Sequence, residues 1–210
     1  MGTTRPAAAA AGLVVIAGAV TMLVALVAAP GPWTQGYVSE AGTAGQPSAG
    51  PYRWGLILLA AGVALLGVAV RRHRPPALLL AGAAVLAGTS GAVPCSARCP
   101  LPPHEPTTPA DVVHAGAAIL GMMLLAGAML AVARSDLPRV ARRTAGVAAA
   151  LTVPLGAAQG LTMVVAGRVP LGAALERLLL VVAVSWLVGT SAAVALHGRR
   201  WTPVHRTGKI

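Results

Sequence analysis

Arg71-Arg72-His73-Arg74-Pro75-Pro76 separates two apolar runs, near 54–70 and 76–93, and its reading decides the fold. Three guanidiniums in one short turn, between stretches that carry no charge of their own, mark a loop held on the cytoplasmic side during membrane insertion. Working outward, four more apolar runs lie near 7–29, 111–133, 144–166 and 171–197. A hydrocarbon core about 30 Å thick needs about 20 apolar residues per helix, so each run is a candidate span. The basic residues then fall into alternate connections. Arg5 precedes the first run; Arg134, Arg139, Arg142 and Arg143 follow the fourth; Arg199, Arg200, Arg206 and Lys209 follow the sixth. With the first turn these make twelve of the sixteen Lys and Arg residues. Four of the five acids, Glu40, Glu105, Asp111 and Glu176, lie at or near the Arg-poor side. The expectation is an all-α membrane protein, a six-transmembrane-helix bundle with both termini cytoplasmic.

Composition agrees. The chain has 210 residues, is 56% hydrophobic, 10% charged, and has mean hydropathy +0.76, which places it among membrane proteins. Six spans with short connections leave no room for a separate soluble domain, so 1–210 reads as one integral membrane domain, with 198–210 a basic cytoplasmic tail. A net charge of +11 would suggest nucleic acid in a soluble protein. Here the cations sit beside the spans, where they orient the chain and meet anionic headgroups. No basic stretch is interleaved with aromatics, so the partner expected is the lipid bilayer and not nucleic acid. Every cation except Lys209 is Arg, and Asn and Phe are absent. That bias resembles a GC-rich bacterium and suggests a bacterial inner (plasma) membrane. The first run is longer than the 7–15-residue core of a signal peptide, and a retained helix is expected.

The remaining polar chemistry collects on the Arg-poor side. The first connection there carries Tyr37-Val38-Ser39-Glu40-Ala41-Gly42, flanked by Trp33, Tyr52 and Trp54, aromatics suited to the headgroup level. The second, rich in proline, carries Cys95 and Cys99. In an oxidising exterior these read as a local disulfide; a sharper reading joins them to His104 and His114 as a zinc site. Asp111 and His114 share a face of the fourth span at i, i+3 and could form an acid–base pair. Asp111 also completes a capping box with Thr108 at N-cap and Pro109 at N1. Glu176 and Arg177 lie inside the sixth span, where charge is costly; Glu176 needs a partner such as His114, Arg168 or Arg53. Gln159 is polar in the outer half of the fifth span, which also holds Pro154 and a Gly156-x3-Gly160 element that would let helices approach closely.

Taken together, Tyr37-Val38-Ser39-Glu40-x-Gly42, Asp111-x2-His114 and Glu176-Arg177 followed by Trp186 resemble the bacterial membrane-protein family known as "domain of unknown function 998", over about Val14 to Leu196. The resemblance implies six helices and an outer polar cluster of Ser39, Glu40, Asp111, His114, Glu176 and Arg177. It supplies no activity or cofactor, and no metal is expected. The leading expectation is a polar pocket at the outer leaflet that binds a lipid headgroup or small ligand. An outer-leaflet lipid hydrolase or transferase comes next, and a small proton-coupled transporter third.

Overall fold

Apolar runs of this length have one way to satisfy their backbone in lipid, which is to hydrogen-bond within themselves as helices. The computed structural model describes residues 4–100 and 102–197. It contains six long helices: α1 Thr4–Ala28, α2 Ala49–Ala69, α3 Arg74–Ala92, α4 Pro109–Ala133, α5 Arg139–Ala166 and α6 Pro170–His197. Each is long and apolar enough to cross a membrane. The chain is a multi-pass membrane protein. The basic segment 198–210 lies outside the described residues.

Most helices begin earlier than hydropathy alone suggests, because helix formation does not stop where apolarity does. Pro75 and Pro76 fit the first turn of α3, and Pro109 that of α4, where a missing N–H costs nothing. α5 starts at Arg139 and so includes three arginines read as loop, and it runs unbroken through Pro154.

The helices form a ring in chain order: α1 packs on α2, α2 on α3, and so on round to α6, which returns to α1. Between lipid-soluble helices the attraction comes from close packing. α1 and α2 meet at Gly18 and Gly55, where a Cβ on Gly18 would lie 2.7 Å from the Gly55 carbonyl oxygen and the Leu59 nitrogen. Facing outward are Leu13, Val24, Leu78, Val85 and Val165, all exposed, the surface that hydrocarbon would cover. The α4–α5 seam is looser. Gly156 and Gly160, whose spacing would permit a close helix approach, have open space beside both α-carbons.

Cations also cap helix ends. Arg5 donates from Nε and Nη2 to the carbonyls of Ala195 and Leu196 at the end of α6, at 2.6 and 3.0 Å. Arg53 does the same for Gly91 and Ala92 at the end of α3. Carbonyls there lack helical partners, and a cation complements the helix dipole.

Candidate functional site

At the Arg-poor end the α1–α2 connection folds inward as a short 3-10 turn, Val38–Gly42. Its first N–H groups would be unsatisfied, and a carboxylate from another helix meets them. Glu176 Oε2 accepts from the Val38 N–H at 2.5 Å, and the Ser39 N–H also bonds this carboxylate. Within the turn, Glu40 Oε1 accepts from the Tyr37 N–H at 2.7 Å, and Glu40 is paired with Arg168. Arg168 also donates to the carbonyls of Arg98 and, at 3.1 Å, of Cys99, and approaches Glu105. One side chain thus ties three loops together. The partner of Glu176 is therefore backbone, while Arg168 serves Glu40 instead.

Arg177 reaches from α6 toward the same loop. Its guanidinium donates to the carbonyls of Trp33 at 2.7 Å and of Gly36 and Ala173 at 2.8 Å each. Asp111 is buried and fully used. It accepts from the Ser96 N–H and Oγ at 2.6 and 2.9 Å, and from the Thr108 N–H and Oγ1 at 2.7 Å each. The capping box read from Thr108-Pro109-Ala110-Asp111 is present, and the same carboxylate pins the 94–100 loop. His114 is buried beside it, with Nδ1 2.8 Å from the Ser90 carbonyl and 2.9 Å from that of Val93. Only a proton on Nδ1 satisfies two carbonyls, which assigns the lone pair of the neutral ring to Nε2.

Of the aromatics expected at the headgroup level, Trp33 and Trp54 are exposed, whereas Tyr37 and Tyr52 are buried. A tyrosine at a loop end reads as an interface anchor, yet the turn carries Tyr37 inward, with its ring under the Arg168 guanidinium. Burial pushes the Tyr37 phenol above its ordinary pKa; the Arg168 charge and a hydrogen bond from Gln159 oppose that. Gly172 leaves room for the phenol oxygen on α6.

Below this end lies a cavity of about 730 Å³ between α4, α5 and α6. Tyr37, Ser39, Asp111, His114, Gln159 and Glu176 line one end of it, while Glu40 and Arg177 do not. Its long wall is apolar and includes Ile119, Met123, Leu130 and Val153. These four are also exposed, so the cavity opens sideways along α4 and α5. From Asp111 to Leu130 it follows α4 for roughly 28 Å at the helical rise. The sequence did not reveal its apolar length, because a groove wall and a lipid-facing wall have the same composition. Gly156 and Gly160 were its only trace: here the small residues leave space.

A family model described as "Protein of unknown function (DUF998)" matches residues 8–193. The chain belongs to the DUF998 family. No curated protein and no solved structure matches it significantly.

In this DUF998 chain three soft donors meet at the polar end: the sulfurs of Cys95 and Cys99 and a ring nitrogen of His114 lie within 4.8 Å of one another. The two sulfurs are joined, with their α-carbons 5.1 Å apart, a spacing that suits a disulfide. A zinc site would need both as thiolates. His104, the other imidazole considered, is elsewhere, with Nε2 2.9 Å from the Val164 carbonyl. Among the described residues, Ser39 Oγ has no hydrogen-bonded base, and Asp111 has no spare role as one.

Proposed function

We propose that the cavity is a lipid-binding site in the outer leaflet of a bacterial plasma membrane. A headgroup would sit between Ser39, His114, Gln159 and Glu176, and a chain would run along the α4–α5 groove. One observation carries this reading: the cavity is polar at one end, apolar along the rest, and open sideways over most of a hydrocarbon thickness. That is the shape of an amphiphile. Its volume falls in the range of ligand sites, roughly 300–1,000 Å³. The charge distribution supplies the orientation, since the Arg-poor end is the one insertion leaves outside.

Hydrolysis or transfer on such a lipid is the weaker reading, because Ser39 has no partner that would activate it. Transport is weaker still: away from the polar end, Thr152 is, among the described residues, the one polar side chain that lines the cavity.

The test is lipid analysis of protein purified in mild detergent, wild type against Gly160→Leu. A leucine at 160 meets open space and enters the groove. Wild type should retain tightly held lipid through extensive washing, and the variant should fold equally well and lose most of it. Wild type without bound lipid, or a variant that keeps the same amount, overturns the reading.

A further inference from the structure

The cations at the polar end are committed elsewhere. Arg53, Arg168 and Arg177 donate to backbone carbonyls or to Glu40, and the Arg98 side chain is exposed. None of the four lines the cavity. A site for phosphate or carboxylate calls for such groups, and among the described residues the cavity lining offers none.

The acceptors show the opposite pattern. Glu176 lines the cavity and, among the described residues, forms no ion pair; its bonds are to two backbone N–H groups. Gln159 Oε1 is shielded from water and has no partner. His114 holds its Nδ1 proton between two carbonyls, which leaves Nε2 to accept. His114, Glu176 and Gln159 all line the cavity, and each is roughly 8–11 Å inside its own helix end at the 1.5 Å rise. A carboxylate facing a low-dielectric cavity is costly when its neighbouring cation, Arg177, is turned to carbonyls, and so is an orphaned amide oxygen.

Resting on the lipid-pocket reading, we propose that the ligand is an amphiphilic primary amine, its ammonium held by Glu176, Gln159 and His114 and its chain lying along Met122, Met123 and Met163. An ammonium has three N–H donors and no acceptor, which matches three acceptors lining one cavity. Glu176 supplies the counter-charge, and the other two fix direction. An aminophospholipid fits poorly, because its phosphate would meet no cation among the described residues that line the cavity.

The test is equilibrium binding of dodecylamine, dodecanol and dodecanoate to the purified full-length chain in a neutral detergent. Dodecylamine should bind at least roughly tenfold tighter than dodecanol, the loss of one charge-assisted contact being worth about that factor, and dodecanoate should bind weakest. Glu176→Gln, which keeps an acceptor for the Val38 amide, should abolish the preference for the amine over dodecanol. Gln159→Leu should weaken dodecylamine by about tenfold. Equal binding of all three probes, or preference for dodecanoate, overturns the amine assignment while the lipid pocket stands. Binding of none of them removes the pocket reading as well. If Glu176→Gln does not fold, Gln159→Leu decides, and an unchanged dodecylamine affinity overturns the proposal.

Discussion

Asp111 offers the sharpest test of what the polar cluster is for, because Asn has its shape and lacks its charge. The carboxylate receives four donors: two backbone N–H groups, of Ser96 and Thr108, and two hydroxyls, of the same residues. The hydroxyls can turn and accept from an introduced amide NH2; the backbone groups cannot. In Asp111→Asn the oxygen can keep one N–H, and the NH2 must then face the other. The faced N–H forfeits a bond to a charged acceptor, about 1.5–3 kcal/mol, and the retained one falls to neutral strength, about 1 kcal/mol less. The sum is about 3 kcal/mol, since the site is buried and cannot recruit water freely. For a chain of this size that lowers the melting temperature by roughly 6–12 °C. Thermal unfolding in detergent, followed by tryptophan fluorescence, measures it, and amide exchange at Ser96 and Thr108 should quicken. An acid–base role predicts otherwise, because neutralising a catalytic carboxylate commonly leaves stability unchanged or raises it. A melting point within about 2 °C of wild type would refute the capping account.

The helix seam and the cysteine loop make separate predictions. Gly18→Ala should destabilise by about 1–3 kcal/mol, because its methyl would meet the backbone of α2 at 2.7 Å and backbone cannot give way. Gly146→Ala, with nothing within 4 Å, should be neutral or gain up to about 1 kcal/mol, and equal melting points for the two would contradict the packing described. Cys95 and Cys99 should resist maleimide in intact protein and label after reduction with a phosphine; labelling without reductant would show free thiols.

Much of this molecule was legible before any tertiary structure. Helices in lipid must satisfy their own backbone, so length and apolarity place six of them. The capping box at Thr108 was legible for the same reason, since its partners are three residues apart. Glu176 was recognisable as a charge needing a partner. Its partner was not, because a backbone N–H has no signature in sequence and the choice fell 138 residues away at Val38. Tyr37 misled in the same manner: its residue type fits an interface, and only the inward fold of its loop buries it.

Local rules and hydrophobic transfer are properties of the chain itself, and they determined the number of helices, their limits to within a few residues, and the side on which the polar residues gather. Which charges remain available for a ligand is a property of the packed bundle. Arg177 and Asp111 stand out in the sequence, yet both Nη groups of the one are taken up by carbonyls and the carboxylate of the other by N–H groups and hydroxyls. Gln159 and the glycines at 156 and 160 become instead, once α4 and α5 stand apart, the lining of a cavity. Composition cannot distinguish a wall that faces lipid from one that encloses a lipid, because both must be apolar, and the spacing of neighbouring helices decides between them.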